Sequence, residues 1–236
     1  MNLLSNASID ALGNSIIKKY LSYSNDMAVS VDIQGFAEKY LKLPVIYRSF
    51  AESDASKLGF ISDGKTPLNV LHCNKAVATI FPKGTIVIEK YLQRKSELGR
   101  CRFTIAHEAA HYILDRSLVT AGFHREFDRE ALYTPNELRE IFNISETNVD
   151  RLASALLMPE FMMKDYLMRN GRENGIFLYD DNFIRPEDNF ILQRMASDMK
   201  VSNSALLIRI SQLQLYERRP IDEYISELGL ESGVPC

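Results

Sequence analysis

The sequence predicts an α+β protein, ordered as helices, then a small and mostly antiparallel sheet, then helices almost to the end. Three observations carry this. Apolar residues recur at helical spacing over the first forty positions. Short β-branched and aromatic runs, separated by Gly, Pro, Asp and Asn, fill 44–91. From about Glu97 the spacing is helical again.

The first helix is expected over 8–22, where Ile9, Leu12, Ile16, Ile17 and Leu21 share a face, and a second over 32–43, ending at Pro44. "PVIYRSF", "KLGFISDG", "KAVATIFP" and "GTIVIEKY" read as strands. In "TPNELREIF", Thr134 is placed to cap a helix, with Pro135 in its first turn and Glu137 completing a capping box. A separate helix is expected to start at Ser145, stapled by Ile144 and Val149 and stopped by Pro159.

The bulk properties exclude several classes. With 236 residues the chain can bury a sizeable core, and 46% hydrophobic with 25% charged residues is ordinary for a globular protein. A net charge of −3 gives no global electrostatic reason for nucleic-acid or membrane binding. Cys73, Cys101 and Cys236 form neither a disulfide framework nor a cysteine zinc knuckle. "MNLLSNASIDALGNSIIKKYL" reads as an amphipathic helix rather than a signal peptide, and no run reaches membrane-spanning length. A cytoplasmic protein is the expectation.

The chemistry concentrates in "CRFTIAHEAAHYIL", 101–114, which holds two of the four histidines. On a helix His107 and His111 project from one face and can turn ring nitrogens to one metal ion. Glu108 lies about 100° further round, poorly placed as a ligand but well placed to meet a water at that ion. The alternative is a plain core helix with two satisfied histidines. Zinc needs a third protein ligand if a position is to stay open. The extension H-E-x-x-H-x-x-G-x-x-H is excluded, because Leu114 and Ser117 stand where it needs Gly and His. His124 is one candidate. Glu146 is the better one, on the next strongly periodic helix, with Asp150 one turn further on to accept the second ring N–H of a ligand histidine. Alone, Glu146 and Asp150 would be ordinary helix-surface acids.

Taken together, "RCRFTIAHEAAHYIL" and "ETNVDRLASALLMP" resemble the ImmA/IrrE family of intracellular zinc metallo-endopeptidases, in which an H-E-x-x-H helix is followed by an E-x-x-x-(N/D) helix ending in L-L-M-P, a gluzincin-like arrangement. The resemblance extends back through "GTIVIEKYL" and forward to "LQRMASDMKVSNSALLIRISQL". Ala110 stands where Gly is common and Leu152 where Phe is common; both are packing positions. The resemblance implies a zincin-like fold, one Zn2+ held by His107, His111 and Glu146, and Glu108 as the general base that drives peptide hydrolysis by metal-activated water. It also implies a regulatory protein as substrate, such as a helix-turn-helix repressor. Tyr112, His124 and Tyr133 are candidates to stabilise the oxyanion. The rival reading is a non-proteolytic regulator that keeps the zinc fold and binds a protein partner or DNA.

The expected organisation is a zincin-like domain over 1–184 and a helical subdomain over 185–236. In the latter Pro186 starts a helix, 201–203 turn the chain and 204–216 form a second helix, in helix-turn-helix outline. Five basic and four acidic residues lie in 186–219, which is no basic stripe, so packing or substrate docking is expected rather than DNA contact. The long connection between His111 and Glu146, with a helix of its own, is expected to border a substrate cleft.

Overall fold

The computed structural model describes residues 5–24, 29–53, 57–120 and 135–228, without the side chains of 24, 115–120, 135–145 and 181. The chain parts into two compact units at Pro159/Glu160. The division expected at 184/185 does not coincide with this. β6 (Ile176–Tyr179) pairs in parallel with β7 (Tyr216–Arg219), which binds the stretch before 184 to the residues after it.

In the first unit α1 (Asn6–Ser24) is followed by α2 (Ile33–Gly35), which widens into a π-helical turn over Phe36–Tyr40. Asp32 caps α2 by accepting from the Gly35 N–H at 3.0 Å. The expected helix over 32–43 therefore stops at Tyr40, and Lys42 adopts a left-handed conformation two residues before Pro44.

The strands are β1 (Val45–Arg48), β2 (Gly59–Ile61), β3 (Leu68–His72), β4 (Lys75–Thr79) and β5 (Ile86–Glu89). They form two sheets rather than one. β3 and β4 make an antiparallel hairpin that turns at Cys73 and Asn74, both at positive φ. The other sheet has the order β1-β5-β2 and is mixed, since β1 runs parallel to β5 and β2 antiparallel to it. Ile86, Val87 and Ile88 are fully buried, as befits its central strand. Leu68, Val70, Phe81 and Val87 form a core with Ile46, Phe50 and Phe60 packed against it.

α3 (Leu98–Thr120) and α4 (Pro135–Leu157) pack side by side. Ala106, Ala109 and Ala110 on α3 meet no solvent, and neither do Leu152, Ala153 and Leu156 on α4. Such small residues allow the two helices to approach closely. The described part of α4 starts at Pro135 and continues without a break through 145. Ser145 is thus a helix-interior residue, and Ile144 and Val149 have no helix start to staple. Thr134 lies outside the described residues.

α1 packs along α4 and fixes its position. A Cβ on Gly13 would fall 2.6 Å from the Ala155 Cβ, so the helices touch at a point only glycine allows. Nearby, Arg151 on α4 donates to the Asp10 carboxylate from Nη2 at 2.6 Å and from Nε at 3.2 Å.

The second unit comprises α5 (Glu160–Arg169), β6, α6 (Pro186–Met199), α7 (Asn203–Gln212), β7 and α8 (Ile221–Glu227). Its organising group is Asp188, fully buried, which accepts from Arg172, from Arg185 Nε at 2.9 Å and from the Phe177 N–H at 3.2 Å. α6 and α7 have the expected outline, with Ser202 capping α7 through the Ala205 N–H. α7 ends at Gln212, however, and 216–219 form β7 rather than a continuation of the helix. No helix among the described residues is long and apolar enough to cross a membrane.

Candidate metal centre

His107 and His111 stand one turn apart on α3, both half-buried, and their Nε2 atoms face each other at 3.1 Å. α4 brings a carboxylate to the same point. Glu146 Oε2 lies 3.4 Å from His107 Nε2 and 3.7 Å from His111 Nε2. The three atoms form a small triangle at the solvent border of the helix pair.

These spacings allow a test of fit. An ion with tetrahedral bonds of about 2.0–2.1 Å separates its ligand atoms by about 3.3–3.4 Å, and the observed sides bracket that length. Two imidazoles and one carboxylate can therefore hold a single metal ion of that size without rearrangement of the helices. His124, the other third-ligand candidate, lies outside the described residues, as does Tyr133.

Asp150 Oδ1 lies 2.9 Å from His107 Nδ1. An ionised carboxylate only accepts, so Nδ1 carries the proton and Nε2 presents its lone pair to the triangle. The His107 ring titrates under opposed influences. Burial disfavours its charged form, but the Asp150 hydrogen bond and the charges of Glu108, Asp150 and Glu146 outweigh it and raise the pKa.

Glu108 points to the sheet side of α3 and is 7% exposed. Burial pushes its carboxyl up to about 7, against the lowering influence of the His107 charge, a hydrogen bond from the Ile61 main chain and the Lys57 charge. A carboxyl poised near neutrality can both take up and release a proton at physiological pH. Tyr112 is half-buried on α3.

Reading the sequence singled out neither Gly59 nor Ile61 of β2, which lie against Glu108. The available signal was the glycine inside "KLGFI": glycine in a strand often marks a close approach of other groups. Asp10 was missed as well, because nothing in its neighbourhood announces a partner 141 residues away.

The family model of Peptidase_M78, the IrrE N-terminal-like domain, matches residues 38–211, the greater part of the chain and all of α3 and α4. No curated protein matches it.

Proposed function

The chain belongs to the Peptidase_M78 family, the IrrE N-terminal-like domain, and on that premise we propose that it is a zinc-dependent endopeptidase holding one ion. Membership gives a metallopeptidase-like function; the zinc, the single ion and the substrate are our reading. The observation that carries it is the convergence of His107, His111 and Glu146 within 4.8 Å of one another, beside a buried Glu108.

A bound zinc ion supplies a Lewis acid, polarising the scissile carbonyl and making water acidic enough to lose a proton near neutral pH. The chain's own residues do the rest. Asp150 fixes the tautomer and direction of the His107 ring. Glu108 takes the proton of the attacking water and delivers it to the leaving amine, so that the C–N bond breaks with a neutral amine departing. A donor for the oxyanion comes from among Tyr112, His124 and Tyr133; substituting the right one lowers kcat by about 10²-fold.

The substrate in this reading is a specific regulatory protein, such as a helix-turn-helix repressor, and the setting is the cytoplasm, where the free thiols of Cys73 and Cys101 are at home. The test incubates zinc-loaded wild type and Glu108→Gln with a lysate of the host and compares the protein N-termini. New N-termini with the wild type alone support the proposal. Equal cleavage by both proteins overturns the role of Glu108. If neither cuts and both retain the same partner, the chain is a binding regulator.

A further inference from the structure

The Glu108 side chain lies against strand β2. The Ser62 N–H donates to Thr85 O and the Glu89 N–H to Leu58 O, both at 2.9 Å, so alternate main-chain groups of β2 face β5. Those of Gly59 and Ile61 face the other way. β2 is an edge strand in the order β1-β5-β2, so these groups lie on an edge that no strand of this sheet covers. α3 packs there.

The approach is tight. A Cβ built on Gly59 falls 2.6 Å from Glu108 Oε1, 2.6 Å from Thr104 Cγ2 and 3.0 Å from Glu108 Cγ. Thr104 and Glu108 are one helical turn apart and present one face to the strand. Two residues along, the Ile61 main chain comes close enough to the Glu108 carboxylate to lower its pKa.

We propose that β2 positions the general base: Gly59 leaves the space that the Glu108 carboxylate occupies, and the Ile61 N–H holds the carboxylate in it. The proposal rests on the peptidase reading for its catalytic meaning but not for its geometry. The room at Gly59 matters because a methyl group there can be accommodated in two ways. The end of a flexible glutamate can swing away, or the strand can lift off the helix. The Thr104 methyl cannot yield as readily, because its hydroxyl is tied to Arg100 O at 3.0 Å and a β-branched side chain has few rotamers. Rotation of Glu108 is the easier relief, and it separates the carboxylate from the Ile61 N–H.

The experiment follows amide hydrogen exchange in the full ¹⁵N-labelled chain, with and without zinc, in wild type, Glu108→Ala and Gly59→Ala. The Ser62 N–H, bonded within the sheet, serves as the internal reference. The expected result is that the Ile61 amide exchanges at least tenfold faster in both variants, while Ser62 is unchanged and zinc affinity stays within about twofold. On a protein that the wild type cleaves, Gly59→Ala then lowers kcat at least tenfold with KM within about twofold. Unchanged Ile61 exchange in Glu108→Ala overturns the proposal, because the hydrogen bond is then not protecting that amide. Joint acceleration of Ile61 and Ser62 in Gly59→Ala also overturns it, because the glycine is then needed only for strand packing. A wild type that cleaves nothing defeats the peptidase reading, and the exchange data still decide this one.

Discussion

Asp150 and His107 sit on different helices, and their 2.9 Å contact ties the orientation of a ring in the candidate metal centre to the register between α3 and α4. A slip of α4 by one residue would carry Asp150 and Glu146 away together. The donor triangle is therefore a property of the helix pair, not of either helix.

Asp150→Ala frees the His107 ring without removing a ligand atom. Zinc affinity is expected to fall by about 10–100-fold, whereas Glu146→Ala abolishes stoichiometric binding. Titration calorimetry separates the two. Wild-type affinity in Asp150→Ala would show that the contact plays no part in holding the metal.

Metal removal has a stability signature. Zinc at 100 times its dissociation constant is expected to stabilise the fold by about 2.7 kcal/mol, through mass action alone. Chelation should reverse the shift in melting temperature, and Glu146→Ala should show none. A shift of equal size in that variant would place the bound zinc elsewhere.

The Asp10–Arg151 pair is mostly shielded from water, with side chains 9% and 12% exposed. Asp10→Ala leaves the Arg151 charge without this partner and should destabilise the fold by on the order of 3 kcal/mol. Replacing both residues, as Asp10→Ala with Arg151→Met, should recover part of that loss. Urea unfolding measures both, and a loss below about 0.5 kcal/mol in the single variant would make the pair incidental.

Tyr166 offers a pH test in the second unit. Burial, then its hydrogen bond to Asp198 at 2.7 Å and the Asp198 charge, push the phenol up to about 12 from an ordinary 10.0. The folded state holds this proton more tightly than the unfolded chain. Its contribution is complete below pH 10 and is lost as the pH rises toward 12. Tyr166→Phe should be less stable than wild type at pH 8, with the gap narrowing at alkaline pH. A gap that widens there would contradict the sign.

Much of the centre was legible before any coordinates. His107 and His111 announce themselves because helix geometry converts a spacing of four into one face, and the Glu146–Asp150 spacing repeats the same logic. Patterning also located β1, β2, β4 and β5, but it missed β3, where apolar Leu71 at an exposed position masks the alternation. It missed β6 and β7 as strands altogether, and the parallel pairing of β1 with β5 as well, since pairing partners are set by tertiary contacts that local spacing does not encode. The break expected at Ser145 failed for a related reason: a good capping residue is also tolerated inside a helix. The grip of β2 on Glu108 was out of reach because it depends on a missing side chain and a main-chain group, neither of which leaves a side-chain pattern.

Helix α1 lies wholly before residue 38, where the family match begins, yet Ile9 and Ile17 are fully buried and the surface they share belongs in part to α4. Trimming this protein to its matched span would thus strip the lining from the back of the helix that carries Glu146. The polypeptide so shortened should be sticky and slack at its candidate metal centre, and a failure of that fragment to bind zinc would say nothing about the intact chain.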